Sequence, residues 1–267
     1  MTLQYSRPDR QTRECKYWWF DHWDRLVNSA IRCTGTPRVK LEEGEIAIDS
    51  HIHSLFSHCS VSQPQDIILR AVHLGLSGVC VMDHNDIRGS IDAAKCADYL
   101  KQEGLIPGEF LVIPGVEINS SLGHIGAMFV SENIPMGLGV EECVHAIHEA
   151  GGLAVAVHPY HSTGICDAIF DASFDAVEVE CGSVFSEKLV RQNRELITNP
   201  KLAGYTKLGS SDAHYIQAIA SCYTVVKPAQ LTLDSVRAAI TMGECTAKLS
   251  APCRRLRHLL SPISKLR

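Results

Sequence analysis

Thirteen histidines stand in this chain of 267 residues, and several sit in tight pairs beside carboxylates at the ends of short apolar runs. In chain order the polar positions are Asp49, His51 and His53, then Asp83 and His84, then Glu117, His124 and His158, and finally Asp212 and His214. Imidazole and carboxylate are good ligands for Zn, Mn or Fe, and a carboxylate can bridge two ions, so this combination suits a multinuclear metal site. In the segment AIDSHIH the i, i+2 spacing puts both imidazoles on one side of an extended strand, where they can grip one ion. A single HxH pair is usually a surface or structural feature. The competing explanation here, a buried hydrogen-bond network, must account for such clusters at five successive strand ends.

For these residues to meet, the chain between them has to fold back repeatedly. From about Glu45 onward, short β-branched or apolar runs alternate with stretches of helical period, the pattern of a parallel βα architecture. The strands expected are Ile46 to Asp49, Gly78 to Met82, Phe110 to Ile118, Ile125 to Val130, Leu153 to Val157, Ala176 to Val179, Tyr205 to Leu208 and Cys222 to Val226. Helices are expected over Pro64 to Leu74, Arg88 to Glu103, Val140 to Ala150, Ser183 to Thr198 and Leu233 to Met242. Such a succession predicts one barrel, whose strand C-termini converge on one face and gather the polar residues into a pocket. The barrel domain spans 45–250, after an N-terminal aromatic and helical extension (1–44) and before a basic C-terminal tail (251–267). Lys16 to Ile31 carries Tyr17, Trp18, Trp19, Phe20 and Trp23 on a broad helical apolar face, read as packing on the barrel. In the tail, Leu256, Leu259 and Leu260 are read as the packed side of a solvated terminal helix.

Composition narrows the class further. Hydrophobic residues at 45% and charged residues at 21% exclude a disordered chain, a collagen-like repeat and a coiled coil. A formal charge of −5 gives the whole chain no general footprint for nucleic acid, and no duplex partner is expected. No apolar run suggests a membrane span and the N-terminus lacks the apolar core of a signal peptide, so a cytoplasmic location without membrane contact is expected. Eleven cysteines, scattered and without a CxxC, read as reduced thiols, mostly in the core.

The runs HIHSLFSHCS, VMDHND, VIPGVEI, GHIGAMFV, AVAVHP and GSSDAH together resemble the polymerase and histidinol phosphatase (PHP) superfamily of metal-dependent phosphoesterases, over about Ile46 to Ala247. The resemblance implies an α/β fold, a distorted (β/α)7 barrel of the PHP type, here with an N-terminal helical extension, and two to three divalent transition-metal ions (Mn, Fe or Zn). It assigns one ion to His51, His53, Glu117 and Asp212, with Glu117 bridging to a second that also takes His124 and His158. A third falls to His58, His84 and His214. Many relatives carry Asp at the place of His58, and others carry His one residue further on, where this chain has Cys59; Cys59 as the ligand would make a softer, more zinc-like site. Imidazole matches the remaining ligands, which favours His58.

The activity implied is hydrolysis of a small phosphomonoester or nucleotide by a metal-bridged hydroxide, with no serine or cysteine nucleophile. Glu117 and Asp212 are the candidate catalytic carboxylates. His161 follows HPY on the expected active face, where it either meets the leaving group as a general acid or faces solvent. Arg88, after DHND, either clamps a phosphate or opens a helix towards solvent; Ser210 and Ser211 either contact phosphate or shape their turn. Lys207 is expected to point outward, and Asp49 and Asp83 either orient imidazoles or finish their strands. His73, His145 and His148 lie inside helices, away from the site. The stretch from His124 to His158 is too short for the helical insertion of some nucleotide-cleaving relatives, which leaves a more open pocket. Two other classes stay open: a non-catalytic, metal-stabilised PHP interaction module, and a metal-dependent amidohydrolase.

Overall fold

The computed structural model describes residues 35–264. The aromatic segment Lys16 to Ile31 lies outside the described residues, as do the side chains of Leu259 and Leu260. Among the described residues, nine strands form one sheet: β1 (Ile46–Ile52), β2 (Gly78–Val81), β3 (Leu111–Asn119), β4 (His124–Met128), β5 (Leu153–Ala156), β6 (Ala176–Cys181), β7 (Thr206–Ser210), β8 (Cys222–Val226) and β9 (Cys245–Leu249). Their spatial order is β7-β6-β5-β4-β3-β2-β1-β8-β9. Six α-helices accompany them among the described residues: α1 (Pro64–Leu74), α2 (Arg88–Gln102), α3 (Val140–Glu149), α4 (Glu187–Glu195), α5 (Leu233–Thr241) and α6 (Ala251–Ser264). No helix among the described residues is long and apolar enough to cross a membrane.

The expected helices all form, and the expected eight strands gain a ninth, β9. Strand direction departs from the uniformly parallel expectation. β1, β2 and β3 run parallel, as do β5, β6 and β7, but β4 is antiparallel to both its neighbours and β8 is antiparallel to β1 and β9. Residues 120–123 alone join β3 to β4, far fewer than a parallel crossover needs, so the chain turns back on itself. As a result His124, the first residue of β4, pairs with Asn119 at the end of β3 and arrives on the same face as Glu117.

The sheet curls into a nearly closed barrel, with β7 approaching β1, β8 and β9. The approach rests on Gly209: its N–H donates to Thr224 Oγ1 (2.9 Å), and its carbonyl accepts from Thr224 Oγ1 (2.8 Å) and Ser50 Oγ (3.4 Å). Both faces of the sheet are buried. Ile48, Cys80, Ile113, Met128, Val155 and Leu208 share one cluster, whereas Ala47, Val79 and Val112 pack in a second and Ala154, Ala156 and Val177 in a third. This alternation identifies the first set as the inner layer of the barrel, a solid floor beneath the polar face.

A Cβ at position 209 would lie 2.8 Å from the Tyr223 carbonyl oxygen and 3.1 Å from the Ala247 Cβ. Gly209→Ala should therefore lower stability by about 1–3 kcal/mol, as overpacking does. Urea unfolding measures this, and an unchanged midpoint would show that closure does not depend on the close approach.

Candidate metal centre

β1 carries two of the central imidazoles, and a local irregularity decides where they point. Ala47 packs outside and Ile48 inside, so strict alternation would send His51 and His53 outward with Ala47. The register shifts between Asp49 and Ile52, and Ile52 packs outside. The bulge thus turns His51 and His53 into the barrel mouth, where both are buried. Two further members hold left-handed backbone without being glycine, His158 (φ 30°) and Asp212 (φ 49°). Such conformations cost about 1–3 kcal/mol each and persist where surrounding contacts enforce them.

Glu117 is the hub. Its carboxylate is fully buried, with Oε1 2.9 Å from His124 Nδ1 and 3.1 Å from His158 Nε2. Oε2 lies 3.0 Å from His84 Nδ1, 3.4 Å from His53 Nε2 and 3.6 Å from His51 Nε2. Asp212 Oδ1 sits 3.1 Å from His53 Nε2 and 3.7 Å from His51 Nε2, while Oδ2 accepts from Ser183 Oγ (2.6 Å). His214 stacks on His53 with centroids 4.4 Å apart.

Charge in this pocket is strongly perturbed. Burial raises the Glu117 carboxyl, but the His51 cation and the bonds from His124 and His158 outweigh it and hold Glu117 well below the usual carboxylate range. Burial lowers His51, yet Glu117, Asp212 and Glu178 together push it well above the usual imidazole value. His53 is driven the other way, to about 3, by burial and by His214, and His84 to about 4 by burial foremost.

The donor set fits metal ions on grounds internal to the pocket. His158 Nδ1 is buried without a hydrogen-bond partner, and His84 Nδ1 and Glu117 Oε2 face each other at 3.0 Å without hydrogen-bond geometry, although buried polar atoms normally form such bonds. The Nε2 atoms of His51 and His53 face each other at 3.1 Å. Four overlapping groups place one donor atom per residue within 4.8 Å of one another: His51, Glu117 and His158; His51, His53 and Asp212; His84, Glu117 and His124; and His53, Cys59, His84 and His214.

Comparison with known proteins identifies the family. Residues 49–163 match the PHP domain model and residues 191–245 the PHP-associated model. An uncharacterized protein of Methanocaldococcus jannaschii is 37% identical over 145 residues, covering 49% of this chain and 79% of that protein. The chain belongs to the PHP superfamily. A two-domain protein of Bacteroides vulgatus, containing a predicted PHP-like metal-dependent phosphoesterase, shares the fold with a TM-score of 0.62 at 19% identity, over 81% of this chain and 68% of that one. A lesion-specific endonuclease of Pyrococcus furiosus shares it with a TM-score of 0.53 at 16% identity, over 77% and 58%.

Within this PHP barrel the structure brings together eight of the nine residues expected as ligands, all but His58 falling in the donor groups. The groups divide differently from expectation: His158 joins His51 and Glu117, whereas His124 joins Glu117 and His84. His58 lies outside all four; it is exposed and its ring stacks on His84 with centroids 5.3 Å apart. Cys59 takes the place beside His84 and His214. His161 stands half-buried at the edge, its ring 5.4 Å from that of His158 and its Nδ1 2.9 Å from Thr163 Oγ1.

The residues expected to touch phosphate are otherwise engaged. Arg88 begins α2 with an exposed side chain, pairs with Asp86 (Nη2 to Oδ2 2.6 Å) and lies over the Phe56 ring. Ser211 is buried, donating its N–H to Asp49 Oδ1 (2.9 Å) and its hydroxyl to the His51 carbonyl (3.4 Å), and Ser210 Oγ donates to Glu178 Oε1 (2.5 Å). Lys207 points away from the centre, to the carbonyls of Leu202 and Tyr205. Asp49 and Asp83 meet no imidazole. Asp49 accepts the N–H groups of Ser211 and Ala220, and Asp83 accepts N–H and hydroxyl donors from both Ser54 and Ser57.

Glu178 is the functional residue that sequence reasoning missed. Its Oε1 lies 3.2 Å from His51 Nδ1, and its Oε2 accepts the N–H of His158 (2.8 Å). One carboxylate therefore sets both the His51 ring and the strained His158 backbone. The available signal was a buried-type strand, AVEVEC, interrupted by carboxylates at alternate positions. A register shift between Glu178 and Glu180 separates the two, and Glu180 pairs with Arg257 instead. Glu178→Gln keeps the shape but removes the charge behind His51. It should weaken metal binding by about 10–100-fold, as loss of an orienting partner does. Competition against a chromophoric chelator measures the change, and an unaltered affinity would leave Glu178 a purely structural group.

Proposed function

We propose that this PHP protein is a metal-dependent phosphoesterase acting on a small phosphomonoester or nucleotide. The observation that carries the proposal is the buried Glu117 carboxylate, each of whose oxygens faces imidazole nitrogens, two of the facing or adjoining ring nitrogens being without hydrogen bonds. His51, His53, Glu117 and Asp212 would hold one ion, with Glu117 shared towards His124 and His158, and His84 and His214 would take part in a third position. When bound, such ions lower the pKa of a water molecule and offset the charge of a phosphoryl group.

The side chains do the rest. Glu117 and Asp212 hold their carboxylates ionised against burial, so neither has to shed a proton for a cation to bind. Glu178 fixes the His51 ring through Nδ1 and leaves Nε2 facing Glu117 and Asp212. Ser57 Oγ, 3.0 Å from His53 Nδ1, does the same for that ring. At the rim, Thr163 engages His161 Nδ1, so Nε2 is the nitrogen that would exchange a proton with the leaving group. Arg88 would meet a phosphate only by giving up its fork to Asp86, so substrate orientation falls mainly on the metal centre.

Two outcomes test the proposal directly. The purified protein, reconstituted with Mn, Fe or Zn, should retain two to three ions per chain, and less than one would overturn it. A panel scoring phosphate release against ammonia and amine release, with chelator-stripped protein as control, should show metal-dependent phosphate release. Release of ammonia or amine would establish an amidohydrolase, and no turnover with metals bound an interaction module.

Glu117→Gln nearly preserves shape while removing one negative charge. It should release metal and reduce hydrolysis about 10²-fold or more, by analogy with loss of a main electrostatic stabiliser. His73→Asn, on the exposed side of α1, is the control and should remain active. Full metal content with near-normal hydrolysis in Glu117→Gln would refute the bridging role.

A further inference from the structure

Three of the four donor groups contain Glu117 or Asp212; the fourth, His53, Cys59, His84 and His214, contains no carboxylate. With His53 turned to Asp212 and the first ion, the group offers two imidazoles and a thiol, a donor set that suits zinc and not manganese. Cys59 also differs from the cysteines of the core. Cys80, Cys96, Cys143, Cys181, Cys222 and Cys253 are buried, whereas Cys59 is half-buried at the barrel mouth.

The loop that carries Cys59 is pinned on both sides of it. Ser57 is tied to Asp83 through its N–H (3.0 Å) and hydroxyl (2.6 Å), and its oxygen accepts the N–H of His84 (3.1 Å). Ser60 Oγ lies 3.0 Å from the His53 carbonyl and 2.8 Å from that of His214. The two serines therefore fasten Cys59 to the backbone of all three histidines in its group. The His84 ring, only 9% exposed, reaches Glu117 Oε2 through Nδ1 (3.0 Å) and belongs to the Cys59 group as well. His58, which joins none of the groups, stacks on the His84 ring.

We propose that Cys59, and not His58, completes a zinc-selective site with His84 and His214, beside His53 and distinct in ligand chemistry from the carboxylate-bearing groups around it. The proposal rests on the metal-centre reading above and names the ligand at its third position. On binding, the thiol proton passes to solvent and a zinc–sulfur bond forms, with no change of oxidation state. The thiolate makes this one position selective for soft ions.

Cobalt(II) added to the metal-stripped full-length chain is the probe, because it reports sulfur ligation in its spectrum. Wild type should show a thiolate-to-cobalt charge-transfer band in the near ultraviolet together with visible d–d absorption. Cys59→Ser should lose the charge-transfer band and keep d–d absorption from the remaining ions, and His58→Ala should keep both. Visible absorption without the charge-transfer band in wild type, or its survival in Cys59→Ser, overturns the assignment to Cys59 alone. Absence of any cobalt spectrum overturns the metal-centre reading and this assignment with it. Should Cys59→Ser not fold, alkylation of wild type followed by peptide mapping decides the matter. Zinc loading should slow modification of Cys59 about tenfold or more while the exposed Cys166 reacts unchanged, and equal rates at Cys59 with and without zinc overturn the assignment.

Discussion

A carboxylate sealed from water must find positive charge or give up its own, and Glu117 meets that demand with five imidazoles around one side chain. The rest of the barrel mouth follows from satisfying it. The β3–β4 hairpin exists to bring His124 beside it, and the bridge between His84 and Glu117 brings the end of β2 to the same place. Without metal the burden of compensation falls foremost on His51, whose cation is stabilised by Glu117, Asp212 and Glu178. That arrangement is costly, because one proton stands in for a larger charge and several donor atoms lack hydrogen bonds. Divalent cations held by these donors would relieve it by replacing a proton on an imidazole with a charge that all the donors can share.

Rigidity beneath the site makes this possible. Branched and sulfur-bearing side chains fill the inner face from six strands, so the polar groups above cannot relax downward. On that floor the backbone departs from regular geometry where ligands are aimed, at the β1 bulge, at the β6 bulge, and at the left-handed His158 and Asp212. Strain at the last two is held by specific bonds. Glu178 receives the His158 N–H, and the Asp212 carboxylate is caught between His53 and Ser183.

The sequence makes the architecture legible to the extent that periodicity carries it. Pro64 and the apolar face of α1, the short β-branched runs, and the histidines at their ends all register as local patterns. Strand direction leaves no such trace, since an alternating or apolar run reads the same either way; only the shortness of residues 120–123 marks β4 as antiparallel. β9 escapes because its residues alternate between half-buried and exposed in a run of five that includes Thr246 and Lys248. The paired imidazoles of β1 share a face by spacing, but that this face is inward depends on a bulge no spacing rule contains. Glu178 was missed for a related reason: a lone carboxylate in a strand becomes meaningful only when its neighbours across space are known. The ambiguity between His58 and Cys59 is likewise one of loop geometry, where adjacent residues point in different directions.

The carboxylates of the mouth divide according to what they face, and the division bears on the substrate. Asp49 and Asp83 are saturated by N–H and hydroxyl donors, which leaves them no role towards a cation. Burial pushes both up to about 6, still below neutrality, so both remain largely ionised there with their charge taken up by these donors. Glu117 and Asp212 thus carry the negative charge that faces the donor groups, with Glu178 set behind the imidazoles. Two divalent ions would just balance these three carboxylates and one bridging hydroxide, and a third would leave a surplus even if Cys59 binds as thiolate. A centre loaded in this way retains surplus positive charge at low dielectric, where an anionic group gains more than a neutral one. On the proposed reading, a phosphate ester would meet that surplus and a neutral amide would not, which is the physical ground for proposing phosphoryl and not acyl substrates.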